Sequence, residues 1–229
     1  MTKNHPLHLL GPTSVGKGFM TKLLNQALKI RHGISIGVVC IGDEVRKRFG
    51  NDSGFKDTYE PIVAKGDLVS DGEIMPMFDG RLKEVCSEDF VITDGFLRNS
   101  AQVAHAEKNR LLEHGSACII MHASKHTCHK RLAHRKELKP DGSRIDEHAF
   151  DKRYHAHQDS IGRIQASLVH TKTAIFHVDA NADLEREVFP NVLTFAEFVL
   201  FRHFEHDRRN LLEEARPLNR TRYQQLQQQ

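Results

Sequence analysis

Residues 8–20, HLLGPTSVGKGFM, join a short apolar run to a glycine-bounded turn that closes on Lys17. Gly11, four intervening residues, Gly16 and Lys17 satisfy the first part of the phosphate-loop pattern, and they sit between a strand-like and a helix-like stretch as that pattern requires. The glycines let the backbone curl so that successive N–H groups face phosphate oxygens. The following helix adds its dipole and the lysine a point charge. Behind the loop, Phe19, Met20, Leu23, Leu24, Ala27 and Leu28 recur at helical spacing, which predicts an apolar helix face lying on a sheet.

Working outward, LHLL at 7–10 is the first of five β-like runs. ISIGVVC at 34–40, FVIT at 90–93, ACIIMH at 117–122 and AIFHV at 174–178 follow, with helical stretches between them. Such alternation predicts a mostly parallel sheet covered on both faces, an α/β architecture of three layers. Two excursions interrupt it. Residues 42–77 read as short helices broken by GNDSG and KGD, and KELKPDGS at 136–143 reads as a charged loop. Polar excursions above a parallel sheet are where clamps and lids arise.

Composition narrows the class. With 229 residues, 28% of them charged and 39% hydrophobic, the chain suits one globular domain with a sizeable core. No apolar run approaches the roughly 20 residues that span a bilayer, and MTKNHPLHLL lacks the h-region of a secretory signal. A cytoplasmic protein with no membrane partner is the expectation. A net charge of +3 demands no nucleic-acid partner, though it suits a site that gathers phosphates. Cys40, Cys86, Cys118 and Cys128 form no C-x-x-C pair and read as buried or inert thiols. His122, His126, His129 and His134 cluster around one predicted helix and read as a solvated face rather than a metal site.

Several stretches together resemble the adenylate kinase family of nucleoside monophosphate kinases, in that family's order and over about residues 5–195. These are LLGPTSVGKG, CIGDEVR at 40–46, KGDLVSDGEI at 65–74, DGFLRNSAQ at 94–102, KRLAHR at 130–135 and GSRIDE at 142–147. The resemblance implies a three-layer P-loop fold with a five-stranded parallel sheet, a monophosphate-binding flap at about 42–77 and a short lid at about 135–146. It implies a domain over 1–201, leaving 202–229 as a helical or disordered extension, and a monomer that uses ATP, a nucleoside monophosphate and Mg²⁺.

Residue by residue, the resemblance assigns the ATP site to Gly11, Thr13, Ser14, Val15, Gly16, Lys17, Gly18, Phe19 and Arg131. It assigns the monophosphate site to Arg46, Val69, Gly95, Arg98 and Gln102, and the transfer step to Lys17, Arg98, Arg135, Arg144 and Arg153. Asp94 would orient the waters of Mg²⁺. The chemistry fits these residue types, because phosphoryl transfer between nucleotides needs positioning and charge neutralisation rather than a nucleophilic side chain, and an arginine fork holds two oxygens at once. Each residue also has a duller reading: Arg131 and Arg135 as an i, i+4 pair on a solvated helix, Asp94 before Gly95 as a turn, Arg153 as a surface charge.

Three positions depart from the family. Phe19 stands for a threonine that helps hold a donor phosphate, Ile41 for a threonine facing the acceptor base, and Leu97 for a proline forming a rigid bend. Gln102 in turn implies AMP, since a side-chain amide suits the paired N6 and N1 edge of adenine. A pyrimidine monophosphate kinase and a nucleotide-binding regulatory module with little turnover are the alternatives. Near the end of the chain, Val192, Phe195, Phe198, Val199 and Phe201 predict one more apolar helical face.

Overall fold

The computed structural model describes residues 6–112, 116–138, 147–171 and 173–201. Five strands, β1 Leu7–Leu10, β2 Ile36–Cys40, β3 Phe90–Asp94, β4 Ala117–His122 and β5 Ala174–Asp179, form one sheet in the order β2-β3-β1-β4-β5. All four pairings are parallel, with Leu9 beside both Asp94 and Ile119. The chain leaves β1 for one edge, returns through β3, and crosses to the other edge as β4 and β5. The carboxyl ends of β1 and β3 therefore lie side by side where the winding reverses, the position at which open α/β sheets bind ligands.

The central strands are buried on both faces, and their alternating side chains split the core in two. Leu7, Leu9, Ile92, Ile119 and Met121 pack with α1 (Lys17–His32) and with α8 (Phe189–Leu200). Leu10, Val91, Cys118 and Ile120 pack on the opposite side. That side is covered by α2 (Ile41–Asn51), α3 (Ser53–Ala64), α4 (Asp71–Glu84), α5 (Ser100–Lys108) and the end of α7 (Glu147–Val169). The result is the three-layer α/β fold with a five-stranded parallel sheet that the sequence predicts.

Helix α1 starts at Gly16, whose left-handed φ of 114° lets the loop turn into the helix, and it stops at left-handed Gly33, whose N–H caps the carbonyls of Leu28 and Lys29. Its buried stripe is Met20, Thr21, Leu24 and Leu28. Phe19, expected on that stripe, is 40% exposed. At 100° per residue Phe19 lies on the opposite side of α1 from Met20, Thr21, Leu24 and Leu28, so it points away from the core that its neighbour Met20 enters.

Residues 42–77 fold as most of α2, all of α3 and the first half of α4, with the breaks where GNDSG and KGD predict them. The loop expected from residue 136 starts later, because α6 runs from Lys125 to Leu138; residues 139–146 lie outside the described residues, as does the extension 202–229. His122 ends β4 rather than belonging to α6, whereas His126, His129 and His134 are exposed on that helix. Among the thiols, Cys118 and Cys128 are buried, Cys40 is half-buried and Cys86 is exposed. The apolar face of α8 forms as predicted, with Val192, Leu193, Phe195, Ala196 and Val199 buried.

Among the buried polar residues of this core is a histidine. His8 of β1 is buried, with Nδ1 at 2.7 Å from Thr93 Oγ1 and Nε2 at 3.2 Å from the Leu111 carbonyl. A carbonyl can only accept, so Nε2 carries the proton and Nδ1 accepts from the threonine hydroxyl. Burial, only partly offset by the Leu111 bond, lowers the imidazole pKa from 6.5 to about 4. A depressed folded-state pKa means that the unfolded chain binds more protons between these two values, so this contribution is full above pH 6.5 and is lost as pH falls toward 4. We expect His8 to cost about 2 kcal/mol of stability on going from pH 7 to pH 5. Urea unfolding at both pH values checks this: His8→Gln should flatten the pH dependence by that amount, and an unchanged slope would contradict it.

Candidate active site

The loop between β1 and α1 is built on close backbone approach. At Gly11, φ is 147° and an added Cβ would lie 2.7 Å from the Met121 carbonyl; at Gly16 it would meet Leu184 at 2.8 Å. Ser14 also adopts a left-handed φ of 59°, unusual for a residue with a Cβ. Its buried hydroxyl has no hydrogen-bond partner among the described residues. No side chain caps the N-terminus of α1. An unsatisfied hydroxyl and an uncapped helix start together make a cradle that suits an anion.

Lys17 lies across this loop, donating to the carbonyls of Gly11 at 2.8 Å and Pro12 at 2.9 Å. Burial lowers its ammonium pKa, Asp94 works in the opposite direction, and Arg98 adds to the lowering. Asp94 ends β3, is 8% exposed, and faces Gly18, where an added Cβ would lie 3.7 Å from Oδ2. The thiol of Cys40 makes a weak 4.0 Å contact to the same oxygen. A carboxylate offers about four acceptor sites, so Asp94 retains acceptor capacity toward the loop and fits a hydrated cation there.

Arg131 of α6 braces the loop from the other side. Its guanidinium donates to the Val15 carbonyl at 2.8 Å and to Ala182, beyond β5, at 2.9 Å. Arg131 thus supports the loop that carries Lys17, and Thr13, Val15 and Gly18 belong to the same turn. The side chain of Arg135 and all of Arg144 lie outside the described residues.

Beside the loop is a cavity of about 130 Å³ between the sheet end and α2–α4. Ile41, Val45, Phe49, Val63, Leu68, Val69 and Ile74 give it apolar walls, while Arg46, Asp67, Arg98, Gln102 and Arg153 supply the polar lining. Of the residues assigned to the monophosphate, Arg46, Val69, Gly95, Arg98 and Gln102 all line this one space. Arg46 is also paired with Asp43.

The backbone after β3 explains how Arg98 gets there. Gly95 (φ 79°) and Leu97 (φ 59°) are both left-handed, and Leu97 is 1% exposed. The chain therefore curls back, so that an added Cβ on Gly95 would lie 2.8 Å from Arg98 Nη2. Sequence reasoning expected the bend to be lost with the proline; instead, buried Leu97 holds one by its left-handed backbone.

Arg153 takes part differently from the other arginines. Its guanidinium donates to the carbonyls of Val63 at 2.8 Å and Gly66 at 3.3 Å, and its neighbour Lys152 pairs with Asp67 at 2.6 Å. The KGD turn is thereby fastened to α7, and Gly66 packs so tightly there that a Cβ would lie 2.8 Å from Ala149. The glycine after α3 was visible in the sequence as a helix stop; its partner, more than 80 residues away, was not.

Farther along α7, sequence reasoning missed His157. Its imidazole is partly buried, and burial together with the charges of Lys17, His122 and Arg98 lowers its pKa to about 3. Among the described residues no cluster of His, Cys, Asp and Glu is arranged to hold a metal ion, and no helix is long and apolar enough to cross a membrane.

Comparison with known proteins adds a family to this geometry. Residues 10–149 match the family model described as an AAA domain. The chain is 36% identical over 97 residues to the adenylate kinase of Onion yellows phytoplasma, covering 42% of each protein. It is 33% identical over 107 residues to the adenylate kinase of Borrelia duttonii, covering 47% of this chain and 46% of that one. The match to the adenylate kinase of Phytoplasma australiense is 31% over 134 residues, 57% of this chain and 58% of the relative. The chain thus spans about half the length of the curated relatives it matches.

Proposed function

The chain belongs to the AAA domain family and bears out the adenylate kinase resemblance, and on that premise we propose that it moves the terminal phosphoryl group of ATP to a nucleoside monophosphate, with AMP as the acceptor. One observation carries the reading: the glycine loop with Lys17 and the cavity lined by Arg98 and Gln102 open side by side at the same end of the sheet.

In this reading the ATP phosphates lie on the loop. Lys17 exchanges the carbonyls of Gly11 and Pro12 for phosphate oxygens, and the hydroxyl of Ser14 and the first N–H groups of α1 donate to the same anion. Arg46 and Arg98 hold the monophosphate in the neighbouring cavity, so the acceptor oxygen and the terminal phosphate approach in line. No base is needed, because the acceptor is already an anion. Arg135 and Arg144 close over the migrating group, and Arg153 keeps the turn beside the cavity in place. Asp94 would hold Mg²⁺ through water, and the ion would supply positive charge against the phosphates. Closure of the flap and the short lid would exclude water from the transfer.

The rest of the proposal is a monomeric domain over 1–201, in the cytoplasm, with no nucleic-acid or membrane partner.

A coupled assay with ATP and each of AMP, CMP, UMP and GMP tests the proposal. AMP should be favoured over CMP and UMP by at least ~10-fold in kcat/KM. Better use of CMP or UMP would favour a pyrimidine kinase, which apolar Ile41 in the cavity wall would suit. Binding without turnover of any acceptor would favour a regulatory module. The loop makes a further prediction. Phe19, exposed at the mouth of the site, offers no hydroxyl, so Phe19→Thr should lower the KM for ATP several-fold and change kcat less. If neither constant moves in steady-state kinetics, the substitution is neutral.

A further inference from the structure

Gln102 is 3% exposed, and both ends of its amide are already engaged within the protein. Its Oε1 accepts from the backbone N–H of Arg98 at 2.9 Å, and its Nε2 donates to Asp71 Oδ1 at 2.7 Å. Asp71, in the first turn of α4, uses its other oxygen to accept from Asn99 Nδ2 at 2.9 Å. Asn99 in turn caps α5 through the N–H of Gln102. We propose that Asp71 is a positioning residue for base choice: it locks the Gln102 amide in one of its two orientations, so that the acceptor cavity takes bases with an amino group and rejects those with an oxo group.

An amide has nearly the same shape when rotated by half a turn, so only its neighbours decide which end is oxygen. Here a backbone N–H can only donate and a carboxylate can only accept. Rotating the amide would set N–H against N–H at Arg98 and oxygen against oxygen at Asp71. After these bonds, Gln102 retains one hydrogen on nitrogen and one acceptor site on oxygen for a ligand in the cavity it lines. Adenine matches that fixed pair, with a donor at N6 beside an acceptor at N1. Hypoxanthine has the same size and shape but an oxo acceptor at position 6 beside an N–H donor at N1, the reverse order. It could be matched only by the rotated amide. Because unmatched buried polar groups discriminate far better than small differences in size, the lock gives a sharp choice between two purines of equal bulk.

Asp71→Asn is the informative change, because an asparagine amide can donate as well as accept and so lifts one of the two restraints on the rotated Gln102, leaving only the Arg98 N–H against it. The inference rests on the proposed AMP site, so binding and turnover are measured separately on the full chain. By titration calorimetry, wild type should bind AMP at least ~30-fold more tightly than IMP. Asp71→Asn should reduce that ratio about 5- to 10-fold while leaving ATP affinity within about 2-fold. The ratio is insensitive to the fraction of folded protein, so it stays readable if the variant is less stable. Asn99→Ser keeps a capping hydroxyl for α5 and should preserve the ratio.

An unchanged AMP-to-IMP ratio in Asp71→Asn would overturn the lock. So would an equal loss of both affinities, or the same loss of ratio in Asn99→Ser, since either would make Asp71 a structural residue only. Normal AMP selectivity without ATP-dependent phosphorylation would overturn the kinase reading and leave the lock standing. Absence of AMP binding would overturn both.

Discussion

Lys17→Ala should lower phosphoryl transfer by about 10²- to 10³-fold or more while the fold persists. The ammonium lies across the glycine loop, where it donates to the carbonyls of Gly11 and Pro12. Gly11 is half-buried and Pro12 buried, so losing the two bonds should lower stability by about 1–2 kcal/mol without unfolding the domain. The loss should fall mainly on kcat, because the charge is needed most as negative charge moves between the two nucleotides. Steady-state kinetics with a thermal melt checks both halves. Near-normal turnover, or a collapse of the melting transition, would contradict this role.

Gly95→Ala should fall on the other substrate. A side chain there is strained at φ 79°, and its Cβ would lie 2.8 Å from Arg98 Nη2. The guanidinium sits at the end of a flexible chain, so it would swing aside rather than disrupt the core. We expect kcat/KM for AMP to fall about 10²-fold, with the KM for ATP little changed, because Arg98 lines the acceptor cavity and not the loop. A matching rise in the KM for ATP would show that the two sites are not separated as described. Together the two variants would divide the proposed cleft into a donor half organised by α1 and an acceptor half organised by the curl after β3.

Much of this architecture can be read from the sequence because it rests on local pattern. The five apolar runs become the five strands to within a few residues, and the spacing from Gly11 to Lys17 marks the loop because a tight turn and an anion impose glycines at fixed intervals. The positions that reading misplaced depend on distant partners or on edges. Phe19 is apolar and close to the helical pattern, but it lies on the far side of α1 from the stripe of Met20, Thr21, Leu24 and Leu28, so apolar spacing alone overstates its burial. Leu97 carries no sequence sign of a left-handed backbone; its conformation comes from the curl around Gly95 and from burial. The arginines show the same division. Arg98 is announced by the residues around it, whereas the bonds from Arg153 to Val63 and Gly66 join segments far apart in the chain. The bond from Gln102 to Asp71 joins α5 to α4, and neither stretch foretells it alone.

The most direct test of the account follows the phosphate itself. ATP labelled at its terminal phosphate is incubated with AMP, Mg²⁺ and the full chain, and the labelled products are resolved over time. Label should appear at the terminal position of ADP newly formed from AMP, with two ADP made for each ATP consumed, and Lys17→Ala should slow this transfer by about 10²-fold or more. Label released only as inorganic phosphate, or no consumption of ATP with AMP or any other nucleoside monophosphate, would contradict it.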